Sequence, residues 1–325
     1  MTSLKLQRFA LAVYLLLSLQ AAAASQDVKG RPEMNAPASS ARLQRIVDEA
    51  AGVALARFKE KGFAEKNLAI TLVDVRDPQR LEQASFRGGE PIYPASVIKL
   101  FYLAAAHRWL ADGKLRETDE LKRALRDMIV DSSNDATHYL VDALTETSNG
   151  AELSEREMKK WSERRNAVNR YFAALGYARV NINQKPWCEG PYGRERQFLG
   201  AKFENRNKLT TDATARLLTH IVLGRAVTPT RSAQMLELLK RDFSGPSTDA
   251  DNQAHGFTGM ALEAGARLWS KAGWTSTTRH DAAYVELPTG QRFVLVTFTT
   301  DFANERDIIP SVARAVIERL KDSDK

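Results

Sequence analysis

Pro94-Ala95-Ser96-Val97-Ile98-Lys99-Leu100 reads as the entrance to an apolar helix, and it divides the chain into two kinds of sequence. Upstream, residues 68–75 are apolar and β-branched, Asp77-Pro78 marks a turn, and a second extended segment leads through Gly88, Gly89 and Pro91, so two strands precede Ser96. Before them, Leu43, Ile46, Val47, Ala50, Val53, Ala54 and Phe58 recur at helical spacing, predicting one amphipathic helix over 41–61. Downstream, from residue 96 to about 243, the pattern is almost wholly helical, with helices expected at 96–112, 119–130, 136–144, 167–175, 212–223 and 231–241. The stretch 176–209 is irregular, with Gly190, Pro191, Gly193 and Gly200, and a loop of that length in a compact domain is usually functional. Strands are expected again at 268–274, 282–287 and 292–299, the last two joined by Pro288-Thr289-Gly290, before a closing helix over 307–320.

Strands at both ends of a helical middle imply an α+β fold with one five-stranded antiparallel sheet drawn from both ends. The terminal helices should cover one face of that sheet, and residues of about 96–243 should form the other, all-helical lobe.

At the N-terminus, Lys5 and Arg8 precede an apolar run over 9–19 and the small residues Ala21 to Ala24, the order of a cleavable secretory signal over 1–24. The run is too short to span a bilayer comfortably, and no cysteine directly follows it, so neither a membrane anchor nor a lipid anchor is expected after cleavage. Residues 25–40, polar and holding Pro32 and Pro37, read as a flexible leader, with the ordered domain over 41–325. The expected location is secreted or periplasmic. Loss of 1–24 would remove Lys5 and Arg8 and no acidic residue, lowering the formal charge from +7 to +5. That mild positive charge suits carboxylate-bearing small molecules, and no nucleic-acid motif accompanies it. One cysteine, Cys188, excludes an internal disulfide and a multi-thiolate metal site, and the five histidines lack metal spacing, so no metal or other cofactor is expected.

Ser96 at a helix start and Lys99 one turn later place a hydroxyl beside an amine. A lysine whose charge is disfavoured by burial and by neighbouring cations can take the serine proton, and the helix N-terminus favours a developing oxyanion. Alone, S-x-x-K also fits a helix-capping serine followed by a solvated lysine, and it should occur about once by chance in a chain this long. Two more elements join it: Ser132-Ser133-Asn134 on a connection between helices, and Lys271-Ala272-Gly273 on a strand ending in Trp274, where the glycine leaves room for a ligand near the backbone. S-x-x-K, S-x-N and K-x-G each occur once, in that order. In order and internal spacing they resemble the S-x-x-K, S-D-N, K-T-G signature of class A β-lactamases and penicillin-binding proteins.

Over residues of about 41–320 the chain thus resembles the class A β-lactamase-type serine hydrolases, and the β-lactamase/transpeptidase-like fold is implied. The resemblance implies Ser96 as nucleophile, Lys99 as its base, and an oxyanion hole from the backbone N–H groups of Ser96 and Trp274. It further implies that Ser132 relays a proton to the leaving nitrogen, Asn134 holds the substrate amide, and Lys271 lowers the energy of nearby negative charge. A β-lactam or a D-amino-acid peptide is the implied substrate.

Departures from the family pattern are Ser133 where an Asp is usual, Ala272 where a hydroxyl residue is usual, and a spacing of only 36 positions between Ser96 and Ser132. Arg279, expected on the strand beside that of Lys271, is a candidate grip for a substrate carboxylate; pairing with Asp281 or Glu286 is the alternative. The carboxylate that activates the deacylating water has no E-P-x-x-N context. Glu189, flanked by Trp187 and Pro191, is the best candidate, ahead of Glu195 and Glu204. A Ser-His-Asp mechanism is disfavoured, because no G-x-S-x-G elbow exists and His280 and Asp281 would point to opposite faces of a strand. The rival readings are a penicillin-binding D,D-peptidase with slow deacylation and a non-catalytic envelope binder or sensor with an eroded site.

Overall fold

The computed structural model describes residues 37–186, 190–249 and 251–322. The signal segment and most of the expected leader, together with Trp187, Cys188 and Glu189, lie outside the described residues. Within the stretch expected to be leader, Ala38–Ser39 form a short strand (β1), and the Ser40 hydroxyl accepts from the Leu43 N–H to cap helix α1, Ala41–Arg57.

Two strands follow, Leu68–Asp74 (β2) and Glu82–Phe86 (β3). A 3-10 turn at Ala95–Val97 then runs into α2, Ile98–Ala111. The helical lobe continues with α3 (Asp119–Ile129), α4 (Asn134–Thr145), α5 (Glu155–Arg165), α6 (Ala167–Ala174), α7 (Gly193–Leu199), α8 (Thr211–Val222) and α9 (Pro229–Leu239). The chain returns to the sheet as β4 (Lys240–Arg241), β5 (Arg267–Trp274), β6 (Thr278–Glu286) and β7 (Arg292–Thr300), and closes with α10, Ile308–Asp322.

The sheet is seven-stranded and mixed, in the order β1-β3-β2-β7-β6-β5-β4, which corrects the expected five-stranded antiparallel sheet. The five expected strands form its centre. The additions are the two-residue edges, β1 parallel to β3 and β4 antiparallel to β5. Pairs so short carry no alternation to read in a sequence. Both sheet faces are buried, and the pleat sorts the side chains. Ala69, Val73, Val294, Val296 and Phe298 join the core under the helical lobe, while Leu68, Ile70, Leu72, Phe293 and Leu295 join the core under α1 and α10. Burial on two faces is why these strands read as nearly continuous apolar runs.

Helix α2 is buried from Ile98 through His107, Lys99 included, so it is the central rod of the lobe. Two helices were illegible from apolar periodicity. In α5 only Trp161 and Arg165 are buried, and a capping box of Ser154 and Glu157 supports its start. Helix α7 lies within the stretch expected to be irregular and is seven residues long, too short to be stable on local propensity.

Candidate active site

The nucleophile candidate sits where the chain turns into α2. Ala95 adopts φ 46°, a left-handed value that costs a non-glycine residue energy and that surrounding structure must impose. The turn is closed by Val97 N–H donating to Pro94 O at 3.1 Å. Strand β5 presses against it. A Cβ on Gly273 would lie 2.6 Å from Ser96 N, 2.8 Å from Val97 N and 2.9 Å from Pro94 O, all backbone atoms. The glycine is therefore needed for the approach of β5 to the Ser96 turn, rather than simply to admit a ligand.

Lys99 projects from the first turn of α2 and is fully buried. Its Nζ donates to Asn134 Oδ1 at 2.8 Å and to Ser132 O, and lies 3.3 Å from Ser132 Oγ. Ser132 itself has φ 57°, which turns its hydroxyl and carbonyl toward the lysine. Ser133 points elsewhere: its Oγ accepts from Ala136 N at 3.1 Å and caps α4, so a short polar residue is needed there for the helix start.

From the opposite side, Lys271 on β5 brings its Nζ to 3.0 Å from Ser132 Oγ. The Ser132 hydroxyl is thus held between two lysine amines. Lys271 is buried, and its pKa is lowered well below the ordinary lysine value by that burial, then by Lys99 and Arg241, with Asp281 opposing. The Asp281 carboxyl is raised by burial and accepts from Thr258 N at 3.1 Å. His280 faces away. Its Nε2 meets Tyr93 O at 2.9 Å, its ring stacks on Phe298, and burial holds it down to about 4, so His280 and Asp281 do not combine into a relay.

Trp274, 36% exposed, ends β5 beside Gly273 and leans on Phe257 with ring centroids 5.7 Å apart. Arg279 pairs with Trp274 across the sheet but is only 2% exposed. Its Nη1 donates to Asp251 Oδ1 at 2.6 Å, and its guanidinium carbon lies 3.9 Å from the centre of the Phe257 ring. It meets Asp251 rather than Asp281 or Glu286, a partner 28 residues away that no local pattern announces.

Of the candidate bases, Glu189 lies outside the described residues. Glu195 is buried and bound by the fork of Arg165, Nη2 to Oε1 at 2.6 Å and Nη1 to Oε2 at 2.8 Å, with Lys185 Nζ at 3.3 Å. Asp142 on α4 completes this group, 2.7 Å from Lys185 Nζ. Glu204 is exposed, and its Oε2 accepts from Lys202 N at 3.1 Å. The structure therefore joins Lys99, Ser132, Asn134 and Lys271 by hydrogen bonds, packs Gly273, next to Trp274, against the Ser96 backbone, and gives Glu195 a structural ion pair. Sequence reasoning missed Gln253, whose Oε1 accepts from Lys271 Nζ at 2.8 Å, and Arg241, whose Nη2 donates to Ser270 O at 2.8 Å. Neither stands at a motif position.

The Beta-lactamase enzyme family profile matches residues 55–320. Among solved structures, a β-lactamase from Sphaerobacter thermophilus is similar at 20% identity and TM-score 0.58, covering 83% of this chain and 95% of that one. A variant class A β-lactamase described as the last common ancestor of Gram-negative bacteria is similar at 19% identity and TM-score 0.60, covering 85% of this chain and 98% of that one. A PBP-A variant in an acyl-enzyme complex with penicillin G is similar at 16% identity and TM-score 0.61, covering 89% and 100%. Likeness at these identities establishes the fold. No curated protein matches by sequence.

Proposed function

This chain belongs to the β-lactamase enzyme family, and on that premise we propose that it is an exported serine hydrolase that opens a β-lactam amide through a covalent acyl-Ser96 intermediate. The observation that carries the reading is the Ser132 hydroxyl held between Lys99 Nζ, 3.3 Å away and one helical turn beyond Ser96, and Lys271 Nζ, 3.0 Å away.

In this reading the neutral Lys99 amine donates its two hydrogens to Ser132 O and Asn134 Oδ1, which leaves its lone pair for the Ser96 proton. Ser96 Oγ attacks the amide carbon, and the N–H groups of Ser96 and Trp274 receive the oxyanion. As the C–N bond breaks, the proton passes from Lys99 through Ser132 Oγ to the leaving nitrogen. Lys271 favours the partial negative charge on Ser132 Oγ during that transfer. Water then cleaves the ester to release an acid and restore Ser96, with Glu189 the proposed base.

A penicillin-binding type with slow release is the second reading, favoured by the capture of the Glu195 carboxylate by Arg165 and Lys185. The deciding test is purified mature protein incubated with a chromogenic β-lactam and followed by intact mass. Rapid colour supports the lactamase. A persistent adduct, lost in Ser96→Ala, supports the penicillin-binding type. Neither signal leaves an eroded binder, and labelling that survives Ser96→Ala refutes Ser96 as nucleophile.

A further inference from the structure

Gln253 lies on the loop between β4 and β5, 8% exposed, and both ends of its amide are engaged. On one side, Oε1 accepts from Lys271 Nζ at 2.8 Å, from Ala272 N at 3.1 Å and from Arg241 Nη2 at 3.4 Å. On the other, Nε2 donates to Val130 O at 2.9 Å and Ile129 O at 3.3 Å. Those carbonyls end α3, just before the Ser132 turn. A single side chain therefore joins the strand that carries the lysine to the turn that carries the serine, across the junction of sheet and helical lobe.

We propose that Gln253 is a positioning residue of the reaction, which holds Lys271 Nζ against Ser132 Oγ and registers the Ser132 turn on β5. It rests on the reading of Ser96 as an acylated nucleophile. The chemistry selects an amide: the β5 side presents an amine, a guanidinium and a backbone N–H, all donors, while the α3 side presents two carbonyls, both acceptors. A side-chain amide offers an oxygen with two lone pairs and two N–H donors a fixed distance apart, enough for several partners on each side. A carboxylate would satisfy the first side, lose the bonds to the second, and neutralise Lys271. The neutral amide oxygen holds the ammonium while leaving its charge directed at Ser132 Oγ, where a preorganised field acts on the transferring proton.

The charged groups that face Lys271 are Lys99 from α2, Arg241 from β4 and Asp281 from β6. Burial, Lys99 whenever it is protonated, and Arg241 disfavour its charge, and Asp281 favours it. Burial likewise brings Arg241 down to about 10. Lys99 and Arg241 crowd the lysine, so the acceptors at its head group, Gln253 Oε1, Ser132 Oγ and Ala272 O at 2.7 Å, decide where Nζ sits.

The test uses the mature chain with ¹³C-labelled lysine side chains, the Lys271 resonance being identified by its loss in Lys271→Arg. In Gln253→Glu the lysine titration should move upward by about one pH unit or more, as expected for an opposite charge at contact distance, and the pH profile of Ser96 acylation by a chromogenic β-lactam should move with it. In Gln253→Ala acylation should slow by about 100-fold, the scale of an ångström-level misplacement. If Gln253→Ala does not fold, Gln253→Asn, which keeps the amide but cannot span both sides, should show the same loss with native circular dichroism. Folded Gln253 variants with unchanged lysine titration and unchanged acylation would overturn the proposal. A shifted titration in a protein whose wild type no β-lactam acylates would instead fault the hydrolase reading and leave the coupling of Gln253 to Lys271 standing.

Discussion

Asp251 Oδ1 stands 2.6 Å from Arg279 Nη1, so the arginine that the sequence offers to a substrate carboxylate already holds one from its own chain. Arg306 Nη2 lies 3.3 Å from the other oxygen of Asp251. A substrate carboxylate would compete with this internal one for the guanidinium. We expect Asp251→Ala to raise acylation by a carboxylate-bearing penicillin relative to its methyl ester by about tenfold, the scale of one charge-assisted hydrogen bond. An unchanged ratio would remove Arg279 from substrate recognition.

Gly273→Ala should be far more damaging than its single methyl suggests. The new Cβ would meet three backbone atoms of the Ser96 turn at 2.6–2.9 Å, and none of them is the end of a flexible side chain. Strand and turn must separate, which displaces both proposed oxyanion donors. A loss of about 100-fold or more in acylation rate, from adduct formation timed by mass, is expected. Near-normal acylation would mean that β5 and the turn move together.

Glu195 and Glu189 should behave oppositely. Glu195→Gln leaves the buried Arg165 guanidinium with Asp142, 3.5 Å away, as its remaining carboxylate, and breaking a buried pair from one side costs up to about 3–5 kcal/mol. Thermal melts should show that loss while the release rate of the acyl group, in folded protein, stays within a fewfold of normal. Glu189→Gln should leave stability and acylation nearly intact and slow release further. Fast turnover indifferent to Glu189→Gln would assign the water to another base.

His107 is buried in α2 with neither ring nitrogen hydrogen-bonded in the structure. Burial, reinforced by Arg231 and opposed by Glu117, lowers its pKa from 6.5 to about 4. Between those values the unfolded chain takes up a proton that the folded chain refuses, so this contribution to stability is present above pH 6.5 and is lost as pH falls below it. At pH 5 the loss amounts to about 2 kcal/mol. His107→Leu should flatten that part of the stability curve, measured by urea unfolding from pH 7.5 to 5; an unaltered slope would place the acid sensitivity elsewhere.

The order of segments, strands then helices then strands, and the three motifs around Ser96, Ser132 and Lys271 were legible in the sequence, because periodicity and one-turn spacing are local properties. So was the opposition of His280 and Asp281, which follows from the alternation of a strand. Tertiary structure alone decided the rest. Ala38–Ser39 and Lys240–Arg241 are strands only because a neighbouring edge offers them hydrogen bonds. Ser133 proved to be a helix cap, Glu195 a partner of Arg165, and Gly273 a point of contact between strand and turn. Gln253 and Asp251 acquired their places from a loop whose residues follow no period, 18 and 28 positions from Lys271 and Arg279. A side chain's chemistry is written in its residue type, but the partner that satisfies it when buried depends on which distant backbone the fold brings within 3 Å, and local sequence carries no record of that distance.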